Sequence, residues 1–401
     1  MPQRSAGTLA LPWSTVGVRA PKRVGMDHIL LFIALTLALV GLVMIFSASA
    51  VVAGQKHHDS WYYLKRQLTW LTLGLVLLHV ASWVDYIWWK RLALPLLGLI
   101  TVLLVVVLIP SIGIAANGAQ RWLRLGPILI QPAEMAKLIA VIYLAAYLVK
   151  KENRLQHFST ELLPALLVIG VISGLVLMEP DLGTIVVIGL VTAGMLFLGG
   201  ARVTHLLSLV PVALAAVAAL IWLSPYRWHR LIAFFYPERD PTGTGFQINQ
   251  SFLAFGSGGL FGVGLGEGKQ KLFFLPEAHT DFVLALVGEE LGFVGAGVIV
   301  LFFALFVIRG FQISTRARIP FGRYLGIGIT TLIGIQALIN ACVVTGLLPT
   351  KGLTLPFVSY GGSSLVINLI GVGILLNISR DRQAGREETR QQTGRGWASR
   401  Q

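Results

Sequence analysis

Several stretches of this 401-residue chain hold residue types that could do chemistry. The densest is Leu275-Pro276-Glu277-Ala278-His279-Thr280-Asp281-Phe282, which runs straight into an apolar segment carrying Glu289 and Glu290. The helix dipole keeps a carboxylate ionised at the first turn of a helix. Asp281 in that place could serve as general base towards a hydroxyl, with Glu277 and His279 beside it as substrate contacts. Helix capping by Thr280 or Asp281 accounts for the same residues. Glu289 and Glu290 cannot both face lipid cheaply, so at least one is expected to face the protein interior.

Cations gather in three other places. Asn117-Gly118-Ala119-Gln120-Arg121-Trp122-Leu123-Arg124 leads into Gln131-Pro132-Ala133-Glu134-Met135-Ala136-Lys137, where Pro132 suits a first helical turn. Glu134 and Lys137, at i, i+3, then share one helix face. Pro225-Tyr226-Arg227-Trp228-His229-Arg230 places two arginines beside aromatics, as an amphipathic segment in the headgroup layer would. Pro349-Thr350-Lys351-Gly352 opens a segment that ends Ser359-Tyr360-Gly361-Gly362-Ser363-Ser364. Guanidinium forks and ammonium groups could hold phosphate, although structural ion pairs and interfacial anchoring explain the same residues.

Other chemistries lose their support. In the Gly-rich run from Gln250-Ser251 to Gly268-Lys269, Val263 stands where a P-loop needs glycine and Gln270 where it needs Ser or Thr. The alternating Gly262, Gly264, Gly266 and Gly268 do not make a dinucleotide fingerprint either. These glycines are read as structural, letting backbones approach closely. Gln250, Gly361 and Gly362 are taken, with Glu134, Glu289 and Glu290, as residues that shape the cavity. No metal site is assigned, because His57-His58-Asp59 is too short a cluster. The single Cys342 excludes an intramolecular disulfide framework.

The elements that must position these residues follow from composition: 55% hydrophobic, 12% charged, net charge +14. A bilayer core requires about 20 apolar residues per helix, and ten such runs are present, near 28–53, 62–83, 91–110, 133–149, 161–178, 182–199, 204–224, 281–308, 324–345 and 362–379. The expected fold is therefore an all-α polytopic membrane protein of about ten transmembrane helices. It has a large extracytoplasmic loop near 225–280 and a re-entrant or broken segment before the last helix, where prolines and glycines forbid a straight helix. The basic residues lie in short clusters between the runs, which argues against nucleic acid and for membrane topology. Putting the N-terminus in the cytoplasm places most of the 32 Lys and Arg residues inside. Residues 1–26 and 381–401 are then cytoplasmic tails, the second expected to be disordered.

Together, Leu275–Phe282, the Gly-rich run after Gln250-Ser251 and Pro349–Ser364 resemble the SEDS family (shape, elongation, division and sporulation) of bacterial cell-wall synthases, over about residues 27–380. Ala278 and the wording of Pro349–Thr354 are more similar to its division branch than to its elongation branch.

That resemblance implies a peptidoglycan glycosyltransferase that polymerises lipid II on the outer face of the inner membrane during cell division. The family's essential Asp falls on Asp281, as base on the acceptor sugar 4-hydroxyl while undecaprenyl pyrophosphate leaves. Arg121, Arg124, Lys137, Arg227, Arg230 and Lys351 are expected on the outer side to meet the leaving group, with Arg121 and Lys137 weighted most. Ser359 and Ser363 are expected to line the substrate cavity. A divalent cation could assist, and no other cofactor is implied. The implied partners are membrane lipid, a class B penicillin-binding protein transpeptidase and other divisome membrane proteins, at the septum. A lipid II flippase, an elongation-branch polymerase and a non-catalytic scaffold stay open as alternatives.

Overall fold

Side-chain hydropathy organises the molecule before any specific contact does. The computed structural model describes residues 25–398 apart from 117–118, 127, 152–154, 238–242, 273–274 and 276–277. Among them, α1 (His28–His57), α2 (Tyr62–Trp83), α3 (Ile87–Val107), α4 (Pro132–Lys150), α5 (Leu163–Met178), α6 (Leu182–Leu198) and α7 (Val203–Trp222) follow the first seven apolar runs. Two shorter helices, α8 (Pro225–Phe235) and α9 (Thr244–Gly258), come next, then α10 (Val283–Glu290), α11 (Gly292–Ser314), α12 (Pro320–Val344) and α13 (Gly362–Ala398). Among the described residues eight helices are long and apolar enough to cross a membrane and α6 is a shorter apolar one, so the chain is a multi-pass membrane protein.

The helices divide by what surrounds them. α4, α12 and the membrane part of α13 are mostly buried and form the centre of the bundle. α7, which meets α6 and α8, has no buried residue. Pro132 does occupy the start of α4, where its missing N–H leaves no helical bond unmade. α8 is amphipathic, in line with its Arg and aromatic spacing.

One expectation needs correction. The apolar run 281–308 is not one helix: α10 ends at Glu290 and α11 starts at Gly292, whose φ is +70°. The break is held by the Gly-rich segment, because Val263 N and Gly264 N donate to the carbonyls of Glu289 (3.0 Å) and Glu290 (3.1 Å), while Phe293 N donates to Gly259 O at 2.9 Å. A side chain at Gly258 would collide with the Gly288 carbonyl, and one at Gly292 with Gly262. These glycines therefore allow two backbones to touch. The connection after α3 carries strands: β1 (Gly113–Ala116), β2 (Ala119–Leu125) and β3 (Ile128–Ile130) form a small antiparallel sheet in the order β1-β2-β3, paired Gly113 to Leu123 and Leu123 to Ile130. α13 continues beyond its apolar part to Ala398. Its Arg, Gln, Glu and Ala content is helix-forming as well as polar.

Candidate functional site

The segment between α12 and α13, residues 346–361, is non-helical yet largely buried, with Leu353, Leu355, Phe357, Val358 and Ser359 enclosed. Backbone at that depth must find its partners in protein, and two amides of α12, one turn apart, supply them. Gln336 Nε2 donates to Thr354 O at 3.0 Å, and Asn340 Nδ2 to Leu353 O at 2.7 Å. Inside the segment Leu355 N donates to Ser359 Oγ (2.9 Å) and Thr354 Oγ1 to Ser364 Oγ (3.1 Å). Ser363 Oγ accepts from Gln131 N at 3.1 Å, joining the starts of α4 and α13. The Ser359 and Ser363 hydroxyls thus brace backbone. Gly362 leaves room for the Trp70 indole, which any side chain there would strike, and Gly361 N meets Gln67 Oε1 at 3.5 Å.

Asp281 is docked onto this segment. Its residue lies in the turn before α10, and the N-cap position of that helix is Phe282, with no side-chain cap bond. Asn340 Nδ2, the group that holds Leu353 O, also donates to Asp281 O at 2.9 Å. Asp281 Oδ2 lies 3.2 Å from the position a side chain would take on Gly352, whose φ is +65°. Glycine favours that backbone shape, and a side chain in its place would press on the carboxylate. Tyr360 N donates to His279 O at 2.9 Å, a second tie between the two segments. Glu277 lies outside the described residues.

The candidate cations are distributed unequally. Lys351 is half-buried and its ammonium has no hydrogen bond or ion pair among the described residues; burial pulls its pKa below the usual lysine range. Arg230 Nη1 donates to Thr350 O at 3.3 Å, bringing α8 to the same loop. Arg121 reaches the α5–α6 turn, donating to Glu179 O (2.8 Å) and Pro180 O (2.7 Å). That turn adjoins Asp181, which caps α6 through Thr184 N at 3.0 Å. Lys137, only 2% exposed, pairs with Glu134 at 2.8 Å and donates to Gln336 Oε1 at 2.8 Å, so it reaches the loop through Gln336. Arg227 instead bonds Leu220 O of α7 at 3.2 Å, and Arg124 is exposed. Gln250 is half-buried on α9.

Glu289 and Glu290 are both buried, and both face the Gly-rich segment. Glu289 Oε1 accepts from Lys269 N at 2.7 Å and Gln270 N at 3.3 Å. Glu290 pairs with Lys271 at 2.7 Å and accepts from Ser47 Oγ of α1 at 2.6 Å. Gln336, Asn340 and Lys271 were not singled out from the sequence. Two amides one turn apart in an apolar run are the available signal for the first two, since an intramembrane amide needs a partner. Among the described residues no group of three or more His, Cys, Asp or Glu side chains could hold a metal ion.

The arrangement can present an acidic oxygen docked on a braced loop and a half-buried ammonium from that loop, with a guanidinium on its flank. A family model described as "Cell cycle protein", for FtsW, RodA and SpoVE, matches residues 27–384. The chain is 48% identical over 353 residues to "Probable peptidoglycan glycosyltransferase FtsW" of Geobacter sulfurreducens, covering 88% of this chain and 95% of that one. It is 42% identical over 359 residues to "Stage V sporulation protein E" of Bacillus subtilis, covering 90% and 98%. In three dimensions it resembles, with TM-score 0.73 and 30% identity over 90% of this chain and 99% of the other, a chain from "Structural coordination of polymerization and crosslinking by a peptidoglycan synthase complex".

Proposed function

Because the chain belongs to the FtsW/RodA/SpoVE family of cell cycle proteins, we propose that it is the division-branch peptidoglycan glycosyltransferase, which polymerises lipid II beside a crosslinking partner. The curated FtsW relative supports both the activity and the branch. The observation that carries the mechanism is the docking of Asp281 against Gly352, with one Asn340 amide holding both strands of backbone.

In this reading the Asp281 carboxylate removes the proton of the acceptor sugar's 4-hydroxyl. The freed oxygen pair bonds the donor's anomeric carbon, and the bond from that carbon to the pyrophosphate oxygen breaks. Its electrons leave with undecaprenyl pyrophosphate. Negative charge grows on the departing phosphate, where fixed cations in a water-poor site act most strongly. Lys351 is suited to that task, being half-buried and without a protein partner among the described residues. Arg230 stands one peptide away, and Arg121 and Lys137 brace the neighbouring turn and loop. A divalent cation, if used, would arrive bound to the pyrophosphate. The site faces the outside of the inner membrane at the septum, with both termini cytoplasmic. A class B penicillin-binding protein and other divisome membrane proteins are its partners, a reading supported by the synthase complex that the fold resembles.

Purified protein with its transpeptidase partner and lipid II is expected to yield glycan strands on gels. Asp281→Asn should lower the rate by about 10²- to 10⁴-fold, the range for loss of a general base. An Asn variant of full activity overturns the assignment.

A further inference from the structure

The corner between α1 and α2 brings to the site a group of rings that the chemistry above leaves unused. α2 opens Tyr62-Tyr63 and continues through Arg66 and Gln67. The Tyr63 ring centroid lies 4.8 Å from that of His279 and 5.3 Å from that of Tyr360, and His279 and Tyr360 are 5.5 Å apart. Three chain segments therefore contribute one ring each to a triangle two residues from Asp281. The triangle is anchored at its back: Gln67, buried one turn after Tyr63, donates to Ser359 O at 3.4 Å, and Tyr360 N donates to His279 O.

At its front the rings are half-buried rather than enclosed. Burial raises the Tyr360 phenol above its ordinary range, against the pull of Arg66, so it stays a neutral hydroxyl. Arg66 donates to Tyr62 Oη at 3.0 Å and lies 5.6 Å from that ring's centroid, placing a guanidinium at the rim.

Pure packing would be met as well by Leu or Phe. Tyr and His add polar tips to flat apolar faces. A pyranose has matching chemistry, with C–H bonds on its faces and hydroxyls around its edge, and ligand sites of this kind combine aromatic walls with a few polar groups. We propose that Tyr63, His279 and Tyr360 form a sugar-binding subsite on the α2 side of Asp281, with Arg66 as its charged rim. It holds one pyranose of the polymerisation substrate so that the reacting hydroxyl or anomeric carbon reaches the carboxylate. The inference rests on the polymerase reading for its ligand and on the ring geometry for its location.

The test separates sugar recognition from catalysis. Full-length Asp281→Asn protein is titrated in detergent with lipid II and with undecaprenyl pyrophosphate, the same carrier without sugars. Adding Tyr63→Leu, or separately Tyr360→Leu, is expected to weaken lipid II binding about tenfold while undecaprenyl pyrophosphate binding stays within about twofold. Tyr63→Phe, which keeps the ring face and loses the hydroxyl, is expected to bind lipid II with an affinity between those of the Tyr63 and Leu forms. Equal losses for both ligands, no loss for lipid II, or a loss with one Leu variant only overturns the subsite. If the Asp281 protein makes no strands yet the sugar-selective loss is seen, the polymerase reading falls and the subsite stands.

Discussion

Lys137–Glu134 and Lys271–Glu290 are two buried lysine–glutamate pairs of almost the same geometry, with nitrogen–oxygen distances of 2.8 and 2.7 Å. Each has a third partner, Gln336 for the first and Ser47 for the second. They differ in how the chain brings them together. Glu134 and Lys137 are i, i+3 on α4, so their meeting needs only a helix. Lys271 and Glu290 lie in different segments, 19 residues apart, and Ser47 is 224 residues from Lys271, so that cluster exists only in the finished fold. The first leads through Gln336 to Thr354 O and the loop that meets Asp281. The second pins the Gly-rich segment to the end of α10. Similar ionic chemistry thus serves the candidate site in one place and closes a long loop in the other.

The contrast can be broken by charge. Removing one member of a buried pair strands the other, at about 3–5 kcal/mol. Lys271→Met and Lys137→Met are both expected to lose stability of that order, read as a lower melting temperature in detergent. Neutralising both partners sharpens the comparison. Lys271→Met/Glu290→Gln should recover most of the stability and of the strand synthesis, whereas Lys137→Met/Glu134→Gln should recover stability and remain about tenfold slower, about 1.4 kcal/mol in barrier. Equal activity in the two double variants would show that both pairs are structural.

Gln336→Leu cuts the link between Lys137 and Thr354 O without touching the Lys271 cluster. Buried groups left without partners cost about 1–3 kcal/mol. Hydrogen exchange should accelerate in residues 346–361 and stay unchanged in the Gly-rich segment. Faster exchange in both would merge the two regions into one unit.

Glu179 sharpens the comparison further, as an enclosed carboxylate without a lysine. It is 0% exposed and neither oxygen has a hydrogen-bond partner among the described residues. Burial first, then Asp181, pushes its pKa up to about 8, with Arg121 opposing. A raised carboxylate pKa means that the folded state holds a proton the unfolded chain releases near 4.5, so stability is greatest below about 4.5 and declines as pH rises to about 8. One titrating group limits this slope to about 1.4 kcal/mol per pH unit. Melting temperature in detergent is expected to fall over that window, and Glu179→Gln to fall less. Parallel curves would place the proton elsewhere.

Much of this was legible in the chain. Nine of the ten predicted apolar runs each correspond to a single helix, because hydropathy over about 20 residues is a strong signal. Pro132 with the Glu134–Lys137 spacing placed that pair on one face, and the prolines and glycines of 346–361 implied broken backbone. The interruption at Leu291 was hidden because its partners are Gly-rich backbone about 30 residues earlier, and backbone bonds leave hydropathy unchanged. The three-strand sheet was missed because its strands are short and lie among charged and aromatic residues that also suit an interfacial loop. Gln336 and Asn340 disappear into an apolar average, although their spacing puts both amides on one side of α12. Tyr63, His279 and Tyr360 are too far apart in sequence for any local pattern to join them.

The bareness of α7 leaves a mark on what selection can act upon. With no side chain enclosed by protein, most of its twenty positions are judged by the hydrocarbon around them, through total oiliness and a length near 30 Å. Shuffling Val, Leu and Ala among those positions, Leu206 apart because it packs against the core, leaves the buried centre untouched. Mutational drift there is expected to scramble order while conserving composition, the reverse of what the crowded centre of the bundle allows.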